Sequence, residues 1–428
     1  MDSFKITGGQ VLKGTIEAGG SKNCALPVLF STLLSSGKHK ISRVPKLRDM
    51  DSTLAMLVHL GAEIDQHHTS NFGSDWIVNC ANQKDIEAPY DLVRKMRASV
   101  LVLGPLLARY GHARVSLPGG CAIGARPIDL HIRAFEKMGA IVKLDSGYVE
   151  ATLPMGQKKL RGDRIIFPTV SVGATENAMM AATLADGTTI IENASREPEV
   201  RDLAKALISM GAKITGVGTS TLQIEGQKEL GSMNFEIPRD RIESATYLIG
   251  AALTQGDVEV LGADPVDLDL LLEKLTKAGA TVEVKPKSIR VKGGGRLLPV
   301  DISTAPFPGF ATDMQAQWMV LMTQAQGVSL ITETIFENRF MHVPELNRMG
   351  AKLKIAGNVV KVEGTPGQLQ GAPVMATDLR ASASLVLAGL AAKGQTTVKR
   401  IYHLDRGYES MEVKLRSLGA QVERETAG

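Results

Sequence analysis

Apolar and polar positions along the chain fall into a pattern that repeats six times. Each copy has an apolar helical stretch ending in Gly, a β-branched run, an amphipathic helix closed by Gly-Ala, and then short strands. The Gly-Ala pair recurs at Gly61-Ala62, Gly139-Ala140, Gly211-Ala212, Gly279-Ala280, Gly350-Ala351 and Gly419-Ala420, with gaps of 78, 72, 68, 71 and 69 residues. The earlier Gly recurs at Gly37, Gly111, Gly187, Gly256, Gly327 and Gly394, and it precedes the next Gly-Ala by 24, 28, 24, 23, 23 and 25 residues. Two markers that keep step six times signal a structural repeat. Gly just past a helix takes the left-handed conformation that stops it. The intervening faces have the helical period: Val200, Leu203, Leu207 and Met210 follow one stripe, and Tyr408, Met411, Leu415 and Leu418 another. Strands are predicted at Thr188–Glu192 and Thr396–Lys399. Each copy therefore reads strand–helix–strand–helix–strand–strand.

One copy of this length buries little core, so the copies must associate. Three make a domain of ordinary size, and two such domains use the 428 residues. The best boundary lies near Phe235–Asp240, ahead of the fourth copy's helix. The segment Met1–Gly20 has strand patterning at Phe4, Ile6, Val11 and Thr15-Ile16, and it must find a partner elsewhere.

Composition narrows the function classes. With 44% hydrophobic and 22% charged residues, 43 Gly and 18 Pro, the chain reads as an ordinary globular protein rather than a disordered, collagenous or disulfide-built one. The apolar run Val100–Ala108 is broken by Gly and Pro and stops at Arg109, far short of the ~20 residues of a spanning helix. No membrane association is expected, and the N-terminus does not read as a signal peptide. A net charge of +4, 4% aromatics and dispersed Lys and Arg argue against nucleic acid and suit a small anionic ligand. Three cysteines without a C-x-x-C spacing predict neither a zinc site nor disulfides, and a cytoplasmic location. Neither H-E-x-x-H nor G-x-S-x-G occurs, so no metal and no cofactor is expected. Asp264, Asp267 and Asp269 read as a helix start, and Lys292–Arg296 as a turn at a strand end.

Three places concentrate chemistry. The second copy has the longest Gly to Gly-Ala spacing, 28 residues, and the excess falls in Gly111–Pro127, a Gly- and Pro-rich stretch read as loop, not strand. It carries Cys121 near Arg126, which reads either as a reactive thiolate beside cations or as a surface thiol in a turn. Helix starts form the second: Ser21-Lys22-Asn23, Met96-Arg97-Ala98-Ser99, Ser171-Val172, Thr312-Asp313 and Leu379-Arg380-Ala381-Ser382. Free N–H groups and basic side chains there suit an anion, or are simply caps. The third is the connection from strand to second helix, with Glu337-Asn338-Arg339 in copy five and Asp405-Arg406 in copy six. Cys24 and Cys80 read as small core or surface residues.

These motifs resemble the enolpyruvyl transferase family, in the branch that uses UDP-N-acetylglucosamine. The carriers are Gly20–Asn23, Met96–Ser99, Pro118–His131, Ser171–Thr175, Thr312–Gln317, Phe336–Phe340, Asp378–Ser382 and Asp405–Tyr408. The cysteine stretch is the most specific, because the sister branch acting on shikimate 3-phosphate lacks it. The resemblance implies an α/β fold: a two-domain inside-out α/β barrel of six βαβαββ repeats, three per domain. It implies domains of 21–236, carrying the Cys121 loop, and 1–20 plus 237–428. It also implies transfer of the enolpyruvyl group of phosphoenolpyruvate to the 3′-hydroxyl of UDP-N-acetylglucosamine, with release of phosphate. On this reading Lys22, Arg126 and Arg406 bind the phosphate of phosphoenolpyruvate, and Arg339 and Arg380 its carboxylate. Asn23, Arg97, Arg126, Pro127, Ile128, Asp129, Leu130, Thr169, Val170, Ser171, Val172, Asp313 and Ile335 line the nucleotide-sugar site, with many relatives carrying Lys at the Thr169 position. Cys121 would be the acid and Asp313 the base or the group orienting the hydroxyl, its pKa lowered by the helix start. The epoxide fosfomycin would alkylate Cys121. The competing readings are shikimate 3-phosphate as acceptor, and a non-catalytic nucleotide-sugar binder on the same scaffold.

Overall fold

The computed structural model describes residues 2–69, 73–82, 85–94, 96–117 and 128–426. The described residues form two compact units: 20–117 with 128–238, and 2–19 with 239–426. Each has its own apolar core, one built from residues between Cys24 and Ile237, the other from Phe4–Ala18 together with residues between Ile242 and Val422.

Among the described residues six four-stranded sheets carry the repeat, and all six have one order. The third copy shows it plainly. Arg164–Ile166 runs parallel to Thr188–Glu192, which pairs antiparallel with Thr221–Glu225, which pairs antiparallel with Lys213–Thr215. A helix joins the parallel pair, as a parallel crossover requires. Among the described residues, three of the 24 strands come from outside their own copy. Asn234–Glu236 opens the first copy's sheet, parallel to Lys38–Val44. Lys13–Glu17 opens the fourth, parallel to Asp257–Leu261. Ser3–Thr7 closes the sixth, antiparallel to both Gln395–Lys399 and Gln421–Glu425. The N-terminal strands thus find their partners in the unit formed with 239–426.

Within each unit the first helices of the copies are buried, and the sheets turn alternate residues outward. The first helix of a copy is buried on every face, polar residues such as Gln317 and Glu243 included, as in Gln315–Thr323 and Arg241–Leu253, whereas the second is amphipathic, as in Pro198–Ser209. The strands alternate, as in Thr221–Glu225, where Leu222 and Ile224 face inward. Among the described residues no helix is long and apolar enough to cross a membrane, and no His, Cys, Asp or Glu cluster could hold a metal ion.

Two expectations need correction. His112–Ser116, read as loop, is a strand paired with Tyr148–Thr152, with Ala113 and Val115 buried between polar neighbours. Its alternation of polar and apolar residues is the strand period, which the nearby glycines and prolines obscured. The earlier Gly of each copy is left of φ = 0 in two cases. Gly111, Gly187, Gly327 and Gly394 have positive φ, but Gly37 and Gly256 do not. Gly256 is required for close approach instead, since a Cβ there would lie 2.0 Å from the Leu12 carbonyl oxygen. The Gly of the Gly-Ala pair, by contrast, has positive φ in all six copies.

Candidate active site

In the unit built from 20–238, helix starts carry the expected residues. Ser21 caps the helix Lys22–Ser31, its hydroxyl accepting from the Cys24 N–H at 3.3 Å. Lys22 is 8% exposed and pairs through Nζ with Asp49 Oδ2 at 2.7 Å. Asn23 donates from Nδ2 to Glu199 Oε1 at 3.3 Å. Arg97 opens the turn Arg97–Val102, which packs on the helices Lys22–Ser31 and Val172–Ala182. Ser171 caps the latter helix, accepting from the Ala174 N–H at 3.3 Å, and Val172 is its first residue.

Asn177 knits this neighbourhood together. Its amide nitrogen donates to the Val100 carbonyl at 3.0 Å and lies 3.0 Å from His131 Nδ1, while its oxygen accepts from the Gly104 N–H at 2.8 Å. His131 belongs to the helix Asp129–Lys137, which follows Ile128. Burial, and secondly the charge of Arg97, lowers its pKa to about 4, so it is neutral. Ile128 is buried, Leu130 partly buried and Asp129 exposed; Thr169 and Val170 are exposed on the approach to Ser171. Cys121, Arg126 and Pro127 lie outside the described residues. Cys24 and Cys80 are buried free thiols whose pKa burial raises, which makes both poor nucleophiles.

The other unit builds a charged fork. Asp313 sits in the turn Thr312–Met314 ahead of the helix Gln315–Thr323. Arg339 Nη2 donates to its Oδ1 at 2.7 Å and Arg380 Nη2 to its Oδ2 at 2.9 Å. Asp378 caps the helix Leu379–Ala391 and so sets the position of Arg380. Arg339 and Arg380 are 6% and 3% exposed, each facing an aromatic ring, Phe336 at 5.1 Å and Tyr408 at 5.5 Å. Burial pushes the Asp313 carboxyl's pKa up, but Arg380 and Arg339 outweigh it and hold it well below the usual carboxylate range. The expected depression is therefore present, but two guanidiniums cause it rather than the helix start. Both arginines, expected on a ligand carboxylate, here engage the protein's own. Arg406 ends the turn Ile401–Arg406, just ahead of Gly407 and Tyr408. The preceding Asp405 is committed elsewhere, to Arg424 at 2.7 and 3.1 Å. Ile335 is 37% exposed, with its N–H tied to Glu333.

Sequence reasoning missed the partners: Asp49, Glu199, Asn177 and Glu333. Asp49 lies in the charged stretch Arg48–Asp51, yet it is 3% exposed. Capping residues were easier to find: Ser21, Ser171 and Asp378 each precede a helix start with a local signal.

Comparison with known proteins adds the lineage. Residues 6–415 match the family model described as EPSP synthase (3-phosphoshikimate 1-carboxyvinyltransferase). The chain is 54% identical to the UDP-N-acetylglucosamine 1-carboxyvinyltransferase of Desulfosudis oleivorans over 426 residues, covering 100% of both chains. It is 52% identical to the protein of that name from Pelodictyon phaeoclathratiforme, covering 99% of each. Among solved structures, the enolpyruvyl transferase NikO from Streptomyces tendae matches with a TM-score of 0.85 at 24% identity, covering 100% of this chain and 99% of that one. EPSP synthase from Acinetobacter baumannii matches with a TM-score of 0.76 at 19% identity, covering 100% of both. These structural matches establish the shared fold.

Proposed function

Because the chain belongs to the EPSP synthase family and, within it, to the UDP-N-acetylglucosamine 1-carboxyvinyltransferases, we infer that it transfers the enolpyruvyl group of phosphoenolpyruvate to the 3′-hydroxyl of UDP-N-acetylglucosamine. Phosphate leaves, and the reaction is the first committed step of peptidoglycan precursor synthesis. The observation that carries the acceptor is identity above half, end to end, with proteins of that name. The likeness to EPSP synthase, at 19% identity, extends to the fold alone. A nucleotide-sugar substrate puts the reaction in the cytoplasm.

The chemistry accounts for the residue types. Phosphoenolpyruvate carries up to three negative charges, and Arg meets both phosphate and carboxylate with two parallel hydrogen bonds. We assign Lys22, Arg126 and Arg406 to its phosphate and Arg339 and Arg380 to its carboxylate. The fork on Asp313 supports the second assignment, because two guanidiniums already grip a carboxylate there. Asn23, Arg97, Arg126–Leu130, Thr169–Val172, Asp313 and Ile335 are assigned to the nucleotide sugar. Addition needs a proton delivered to the methylene carbon and one taken from the hydroxyl. Cys121 is the proposed acid. Asp313, with its depressed pKa, suits orientation of the hydroxyl better than removal of its proton.

The test is phosphate release from phosphoenolpyruvate with each acceptor in turn. Release with UDP-N-acetylglucosamine and none with shikimate 3-phosphate is expected. Cys121→Ala should abolish release while the protein still folds, and fosfomycin should leave a mass adduct at Cys121 of the unaltered protein. Release with shikimate 3-phosphate alone would overturn the acceptor, and ligand binding without release would favour a non-catalytic binder.

A further inference from the structure

One buried carboxylate has no part in the assignments above. Glu333 is 3% exposed and follows the strand Gly327–Thr332, at the head of the connection that leads to Arg339. Four donors converge on it. Oε1 accepts from Thr304 Oγ1 at 2.9 Å, from the Ile335 N–H at 2.8 Å and from the Phe336 N–H at 3.1 Å. Oε2 accepts from Thr312 Oγ1 at 2.8 Å. A group that only accepts satisfies all four, which is the property of a carboxylate.

The consequence falls on Thr312. A hydroxyl has one proton, and here it goes to Glu333. The lone pairs left over face Arg339, whose Nη1 donates to Thr312 Oγ1 at 3.0 Å. The same guanidinium reaches Asp313 Oδ1 through Nη2. Glu333 thus decides whether Arg339 meets an acceptor or a proton at Thr312. Its other oxygen separately suspends the backbone at Ile335 and Phe336.

We propose that Glu333 is a positioning residue for the enolpyruvyl transfer: through the Thr312 hydroxyl it aims Arg339 at the carboxylate of phosphoenolpyruvate, and through its second oxygen it holds the Ile335 backbone on the nucleotide-sugar side. This rests on the function read above, with Arg339 on that carboxylate. The two oxygens make the roles separable. Glu333→Gln keeps one acceptor and gains a donor. The acceptor serves the three donors at Oε1, so the amide N–H faces Thr312 and turns the hydroxyl proton onto Arg339. Glu333→Ala removes both supports.

The experiment is steady-state kinetics with each substrate varied, on wild type, E333Q, E333A, T312V, T312S and the E333Q/T312V pair, with thermal melting as the check on folding. E333Q should raise KM for phosphoenolpyruvate about tenfold, the scale of a hydrogen bond to a charged group. Its KM for UDP-N-acetylglucosamine should stay within about twofold of wild type, while E333A raises both. T312V should reproduce E333Q, T312S should restore wild-type behaviour, and E333Q should add nothing in the T312V background. A folded E333Q with an unaltered KM for phosphoenolpyruvate, an equal rise in both KM values, or multiplying effects of E333Q and T312V would each overturn the proposal. If E333Q fails to fold, T312V and T312S decide, since both leave the Glu333 anchors of the connection in place. A wild-type protein that releases no phosphate overturns the function itself, and this inference with it; an active wild type with unresponsive variants overturns the inference alone.

Discussion

Asp313 holds two guanidiniums on one carboxylate and is itself 25% exposed, so its charge is under tension between solvent and protein. The unfolded carboxyl titrates near ~3.9, and the folded one well below that, so the folded protein binds fewer protons over this interval. Stability from the fork is therefore complete above the unfolded pKa and is lost as pH falls toward the folded value. Asp313→Asn removes the titrating group. Its urea midpoint should fall less steeply than wild type's between about pH 5 and pH 3. At pH 7 the variant should be less stable, by less than the roughly 3–5 kcal/mol of a fully buried broken pair, because solvent reaches the site. Acid limbs that run parallel would show that the arginines do not hold this carboxylate in solution. On the role proposed for Asp313, orientation of the acceptor hydroxyl goes with the charge, so turnover should drop ~10²-fold. The type of residue at this position was readable from the helix start. Its partners were not, because Arg339 and Arg380 lie 26 and 67 residues away and a linear pattern says nothing about which cation arrives. The same holds for Lys22 and Asp49 and for Asn23 and Glu199, pairs that only the packing of helices on one another brings together.

At the scale of elements, two glycines that look alike in sequence are required for different reasons. Gly211 belongs to the Gly-Ala marker and has φ 99 with open space where a Cβ would go. Gly226 follows the strand Thr221–Glu225, and a Cβ there would lie 1.7 Å from the Ala185 carbonyl oxygen. Gly211→Ala should cost about 1–2 kcal/mol, the strain of a side chain in that backbone region. Gly226→Ala must push two backbones apart and should cost about 3 kcal/mol or more, measured by urea denaturation. Equal losses would mean that the close approach at Gly226 is easily relieved. The contrast explains what was legible. A helix-stopping Gly obeys a local rule, so the six Gly-Ala pairs were found from spacing alone. A Gly needed for close approach answers to a distant chain segment, and Gly256 against Leu12 was accordingly misread as a helix stop. Likewise the strand His112–Ser116 has a clear two-residue alternation, but turn-forming residues immediately after it outweighed five residues of pattern.

For the whole molecule, the repeat count foretold six copies in two domains, but three strands change places, and those exchanges describe how the chain is threaded. Residues 20–238 interrupt the other unit between Gly19 and Arg239. Both ends of the interruption are closed by backbone hydrogen bonds. Asp240 N–H donates to the Gly19 carbonyl at 2.9 Å within one unit, and Ser21 N–H to the Pro238 carbonyl at 2.7 Å within the other. A buried ion pair secures the same junction: Lys414 Nζ contacts Glu243 Oε1 at 2.5 Å, and Glu243 Oε2 accepts from the Gly19 N–H at 2.7 Å. Each unit has a separate core and lies within the usual size of a domain, roughly 50–250 residues. The segment 20–238 should therefore fold when expressed alone, because the strand Asn234–Glu236 that completes its first sheet is included. The remainder should fold when Gly19 is joined directly to Arg239, since Ser3–Thr7 and Lys13–Glu17 stay with their partner strands. It should not fold when it starts at Arg239, because Phe4, Ile6, Leu12 and Ile16 then leave its core and one sheet loses an interior strand. Near-UV circular dichroism and cooperative urea melts of the three polypeptides decide the matter. A native-like melt from residues 239–428 without the N-terminal strands would show that the threading is dispensable. A non-cooperative melt of 20–238 would show that its core depends on the rest of the chain.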